Sequence, residues 1–167
     1  MKSKNHTVIL SVHAGLEMEY IPLKQFRVKY KELCNAGVDV IIGHHPHVPQ
    51  GIEKHNNSLI FYSLGNFYFD YGEFKKSSDD SFSVTIKLEN DKIDYDIHYH
   101  KKIDGICSIV SKEEVNFSIN NLNLLLGDNY DKTHNYMVKN NYKICTWTRD
   151  EVARDAVVIV MLCVINI

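Results

Sequence analysis

Val40-Ile41-Ile42-Gly43-His44-His45-Pro46-His47-Val48-Pro49-Gln50 runs a β-branched stretch straight into three histidines set around a glycine and a proline. A Val and Ile run broken only by Asp39 is the pattern of a strand covered on both faces, so residues 38–42 predict a buried strand. Its carboxyl end delivers the histidines, and in open α/β sheets that end is where ligands bind. Imidazole is also the side chain most often found on catalytic metals. Nine histidines in 167 residues would not cluster three within four positions by even scattering.

Upstream, Gly37 supplies a left-handed stop after Ala36. Before it, Leu23, Phe26, Tyr30, Leu33 and Cys34 recur at three- and four-residue spacing behind Pro22, which predicts a helix over 23–36 with one apolar stripe. Residues 7–12, Thr-Val-Ile-Leu-Ser-Val, predict an earlier buried strand that ends in His13-Ala14-Gly15. Strand, helix, tight turn and strand make a βαβ unit with parallel strands, so His13 and the 44–47 cluster share one rim.

Downstream, residues 51–55 and 59–63 flank Asn56-Asn57-Ser58, a hairpin pattern. Residues 64–67, Leu-Gly-Asn-Phe, read as a tight turn and residues 68–72 as an irregular aromatic stretch. Residues 81–88 alternate with period two, turn at Glu89-Asn90-Asp91 and return over 92–100, predicting an antiparallel hairpin with one exposed face. From about Ser111 the pattern turns helical and then Asn- and Tyr-rich. A helix to about Leu126, a loop over 127–141 and a last helix from near Asp150 are expected, packed as an appendage. The apolar run 156–167 is open between a buried helix, a strand and the out-of-frame end of a damaged gene. Residues 1–105 are expected as one domain and 106–167 as an irregular or helical extension.

At 44% apolar and 24% charged residues, with a net charge of −2, the composition is that of a globular chain without a basic block. That excludes an electrostatic nucleic-acid surface. Cys34, Cys107, Cys145 and Cys163 have no C-x-x-C spacing and read as reduced thiols. No Cys lies near the histidines in sequence, which argues against a structural Cys/His zinc site. No export signal is visible, and the twelve-residue terminal run is short of the about twenty residues that span a bilayer.

His13-Ala14-Gly15-Leu16-Glu17, Gln25, residues 36–48, Gln50-Gly51 and Tyr62-Ser63-Leu64-Gly65-Asn66-Phe67 together resemble the CapA family of capsule-synthesis proteins, within the calcineurin-like metallophosphatase superfamily. The resemblance covers residues 8–88. It implies part of an α/β/β/α sandwich, here a βαβ unit plus antiparallel hairpins. It also implies a divalent metal cofactor (Mn, Zn or Fe), a capsular polymer or phosphorylated substrate, capsule-synthesis membrane proteins as partners, and work at the cell envelope. The superfamily's Asp-x-His, Gly-Asp and Asn-His motifs are not matched in this sequence, so the chain is expected to be the carboxyl half of such a domain, from a truncated or split gene. A non-catalytic remnant or binding module is the alternative.

The superfamily's Gly-His-x-His motif is matched here with one extra histidine. His13, His45 and His47 are the first choice of metal ligands. His44 stands as a substitute ligand or a catalytic or supporting imidazole, and Glu17 as the group that orients an imidazole or accepts a proton. Gly15, Gly43 and Asn66 are expected to line the site. Asp70, Glu73, Asp79 and Asp80 read as a solvated acidic loop, and His98 and His100 as one exposed sheet face.

Overall fold

The computed structural model describes residues 6–69, 79–89, 92–140 and 161–166. Strand β1 (His6–His13), helix α1 (Lys24–Asn35) and strand β2 (Val40–His44) form the expected βαβ unit. The two strands are parallel neighbours, in register from Ile9 against Val40 to His13 against His44. β2 starts and ends two residues later than the Val/Ile run predicts. Asp39 explains the late start, because it clamps the entry to the sheet: its backbone N–H donates to the Val8 carbonyl at 3.0 Å and its Oδ2 accepts from the Val8 N–H at 2.8 Å. His44 is therefore a strand residue and not part of the loop.

Strands β3 (Ile52–His55) and β4 (Ser58–Phe61) form a hairpin that turns at Asn56, φ 55°. β4 lies parallel to β2, with Val40 opposite Leu59. On the other flank β8 (Met161–Asn166) pairs antiparallel with β1, giving a five-stranded sheet in the order β3-β4-β2-β1-β8. The terminal apolar run thus contains a strand, while the helix expected from Asp150 lies outside the described residues. A second sheet is made by β5 (Asp80–Glu89), β6 (Lys92–Ile103) and β7 (Ile106–Val110), all antiparallel. β7 is not predicted above. Its signal is Asp104-Gly105, a two-residue turn with both residues at positive φ, 51° and 78°.

Side-chain parity shows why the central strands are apolar throughout. Leu10, Ile41, Ile60 and Tyr62 face one way, into a cluster with Tyr30 and Cys34 of α1. Val40, Leu59 and Phe61 face the other way, into a cluster with Phe82 of β5 and with Val84, Ile97 and Tyr99 packed against it. The central sheet lies between a helical layer and the second sheet, a mixed α/β fold of the kind the metallophosphatase resemblance implies. Each fully buried Ile or Phe contributes about 1.5–3 kcal/mol relative to exposure, so these residues dominate the stability of the layers.

The helices after Ser111 are α2 (Ile119–Leu125) and α3 (Tyr130–Asn140). α3 occupies much of the stretch expected as loop. From this part of the chain Ile119, Leu122, Leu126, Tyr130 and Met137 are buried in the two clusters. The Tyr130 hydroxyl donates to the Pro22 carbonyl at 2.8 Å, and His134 Nε2 accepts the Lys24 N–H at 3.1 Å, supplying the cap that Leu23 cannot. At the sheet edge Asn123 Oδ1 accepts the Ile52 N–H at 2.6 Å. Asn123→Ala strands that donor and is expected to cost about 1–3 kcal/mol; an unchanged urea midpoint would show that water replaces the bond. Among the described residues no helix is long and apolar enough to cross a membrane.

Candidate metal centre

The parallel pairing of β1 and β2 ends at His13 and His44, so both strands release their chains at one rim. The two loops that follow are stitched together. The Ala14 N–H donates to the His44 carbonyl at 3.1 Å and the Met18 N–H to the Pro46 carbonyl at 2.8 Å. Gly15 makes this approach possible: it sits at φ +150°, and a Cβ there would lie 2.9 Å from Pro46 Cγ. Glu17 is thereby held over the histidine loop.

Ligand atoms of Glu17, His45 and His47 all lie within 4.8 Å of one another. Donors on one tetrahedral zinc-like ion at about 2.0–2.1 Å stand roughly 3.3 Å apart, so modest side-chain closure would bring these three onto one ion. Two imidazoles and a carboxylate are a donor set that divalent transition ions accept, and the residues fit such an ion. His45 and His47 hold positive φ, 100° and 60°. Non-glycine residues in that region cost of order 1–3 kcal/mol each, and such strain concentrates at functional sites.

His13 does not join that group of three. Its Nε2 lies 3.2 Å from His45 Nδ1, with the two rings edge-on at 5.0 Å. His44 is half-buried; burial, and then the neighbouring His13, hold its imidazole below the ordinary value. Asn66 lies directly on His47: Oδ1 is 2.8 Å from His47 Nδ1, and Nδ2 donates to the His47 carbonyl at 3.1 Å. The Phe69 ring meets the His47 ring edge-on at 5.0 Å, a contact that sequence reasoning misses because residues 68–72 carry no periodic signal. Gly43 stands one strand-step behind the rim, where its missing Cβ makes room for the Tyr62 carbonyl.

Other sequence candidates fall elsewhere. Asp80 is 3% exposed and accepts the Asn116 N–H at 2.7 Å, so it belongs to the packing of the second sheet and not to a solvated loop. Asp79 remains near the surface beside Lys102, at 3.4 Å, while Asp70 and Glu73 lie outside the described residues. His98 and His100 hydrogen-bond across the hairpin to Thr85 and Ser83 at 2.8 and 2.7 Å. His100 is buried, a correction to the exposed face expected for both. Its cover comes from the Phe67 ring, 5.0 Å away, which only the tertiary fold brings over β6. Cys34 is a free, buried thiol whose pKa burial pushes up.

Residues 1–71 match the family model of the bacterial capsule synthesis protein PGA_cap. The chain is similar to the PGA biosynthesis protein CapA of Bacillus subtilis (strain 168), 44% identical over 73 residues, which covers 42% of this chain and 19% of that protein. It is also similar to the capsule biosynthesis protein CapA of Bacillus anthracis, 41% identical over 71 residues, 42% of this chain and 17% of that protein. An uncharacterized protein of Sinorhizobium fredii, y4sH, is 50% identical over 40 residues, 24% of this chain and 9% of that protein. The matched part of the chain thus spans less than a fifth of the length of these relatives.

Proposed function

We propose, from the premise that this is a CapA-family chain carrying part of the family's domain in residues 1–71, that it takes part in capsule biosynthesis and holds a divalent metal ion at Glu17, His45 and His47. The convergence of those three ligand atoms at the carboxyl end of the parallel strands carries the reading. His13 supports it from behind by fixing His45. A bound ion of this kind supplies Lewis-acid polarisation of a phosphoryl or carbonyl oxygen. The chain's own residues hold the donors in strained loop backbone and cover one side with the Phe69 ring. Half-buried at the end of β2 and in register with His13, His44 is the imidazole available to accept a proton. The substrate would be a capsular polymer or a phosphorylated precursor, and capsule-synthesis proteins at the cell envelope would be the partners.

A second reading, a metal-dependent binding module without turnover, is favoured by one feature of the cluster. Glu17 is its single carboxylate among the described residues, whereas a two-metal phosphoesterase clamps attacking and leaving oxygens with an ion pair about 3.5–4 Å apart and needs more anionic ligands. The purified chain is therefore expected to bind about one Zn(II) or Mn(II) and to hydrolyse generic phosphoesters slowly or not at all. Calorimetric titration of the native chain beside His45→Ala/His47→Ala is the test. Loss of binding in the double variant supports the site, and equal binding by both proteins refutes it. Brisk phosphatase activity of the native chain would reject the binding-module reading.

A further inference from the structure

We propose that Asn66 is the positioning residue of this metal centre: it fixes the tautomer of His47 so that Nε2, and not Nδ1, carries the lone pair offered to the ion. The inference rests on the metal reading above and adds to it a residue that is not itself a ligand. Its basis is a pair of hydrogen bonds that together leave one assignment. The His47 carbonyl oxygen can only accept, so the Asn66 atom 3.1 Å away must be the amide nitrogen. That settles the orientation of the amide and turns Oδ1 toward the ring, 2.8 Å from His47 Nδ1. An amide oxygen also can only accept, so Nδ1 must carry the hydrogen, and a neutral imidazole then has its lone pair on Nε2.

The bond to the carbonyl also holds the backbone of His47, which sits at φ 60° where an unsupported residue would relax. Asn66 thus acts twice on one ligand, on the ring through Oδ1 and on the main chain through Nδ2. Metal-bound histidines generally donate their other ring N–H to a fixed acceptor, and loss of that acceptor typically weakens metal affinity about 10–100-fold. Asn66 reaches His47 from the loop that follows β4, nineteen positions downstream. Its service to the site comes from tertiary proximity and not from the histidine motif.

The test uses the full chain and two readouts. In long-range nitrogen–proton correlation spectra of the metal-free native protein at alkaline pH, the His47 ring is expected to show protonated Nδ1 and bare Nε2. Asn66→Ala should lose that signature and bind Zn(II) about 10–100-fold more weakly, with its far-ultraviolet circular dichroism unchanged. Asn66→Asp, which keeps an acceptor for the ring, should retain the tautomer and bind more tightly than Asn66→Ala. A native spectrum with protonated Nε2 would overturn the assignment. So would native-like Zn(II) affinity in Asn66→Ala while His45→Ala/His47→Ala loses binding, a result that leaves the metal site standing. Equal binding by native protein and the double histidine variant would instead remove the metal reading, and the metal role of Asn66 with it.

Discussion

Gly43→Ala is expected to destabilise the chain by about 3 kcal/mol or more, a large share of the about 5–15 kcal/mol that holds a domain of ordinary stability. Gly43 lies inside β2, and a Cβ there would collide with the Tyr62 carbonyl oxygen, with Tyr62 C at 2.8 Å and the Phe61 carbonyl oxygen at 2.9 Å. All three are backbone atoms of the neighbouring chain segment, so no side-chain rotation relieves the clash. The parallel strands β2 and β4 would have to separate next to Phe61 and Tyr62, two of the most deeply buried side chains. Gly105→Ala is the control. That glycine is at φ +78° with nothing within 4 Å of its would-be Cβ, so only backbone strain of about 1–2 kcal/mol applies. Thermal unfolding followed by circular dichroism separates the two, and a Gly43→Ala midpoint equal to that of Gly105→Ala would show that the strands yield easily.

Glu53→Gln is expected to cost about 3–5 kcal/mol at neutral pH, because it leaves a largely buried cation without its counter-charge. Glu53 accepts from Arg27 Nε at 2.9 Å and Nη2 at 2.7 Å, from Lys31 Nζ at 2.8 Å and from the Tyr62 hydroxyl at 2.7 Å. The side chains of Arg27 and Glu53 are only 15% and 16% exposed. Arg27 also donates to the Leu126 carbonyl at 2.6 Å and stacks over the Tyr130 ring at 4.2 Å, so this one pair ties α1 to β3 and to the end of α2. Arg27→Met/Glu53→Gln removes both charges and should recover part of the loss. A double variant no more stable than Glu53→Gln would show that the packing of the guanidinium, and not its charge, dominates.

The same carboxylate makes stability depend on acid. Burial alone would raise its pKa, but the hydrogen bonds from Arg27, Lys31 and Tyr62 outweigh burial and hold it at about 2 against an ordinary 4.5. A pKa depressed in the folded state contributes stability that is complete above the unfolded value and is lost as pH falls from about 4.5 through about 2. The whole effect is at most about 3.5 kcal/mol at 1.4 kcal/mol per unit. Urea midpoints at pH 6 and pH 3 should diverge for the native chain and diverge much less for Glu53→Gln. Parallel behaviour of the two proteins would assign the acid sensitivity to other groups.

What the sequence by itself determined was local and periodic. The Val and Ile runs, the three- and four-residue stripe before Gly37 and the alternation after Ser81 specify β1, α1, β2 and the β5–β6 hairpin, because each follows from the geometry of one segment. Three histidines at the end of a buried strand already marked the rim where they sit. What only the tertiary structure decided depends on atoms that meet across loops. Glu17 reaches His45 and His47 because Gly15 lets one loop rest on Pro46. Asn66 and Phe69 reach His47 from beyond β4. Asp80 and His100, polar by type, are buried because the turn at 64–67 and the residues after β7 close over them. Met161–Asn166 becomes a strand because β1 offers it an edge. Periodicity records which face of an element is covered; it does not record what covers it, because that partner is chosen by the packing of the whole chain.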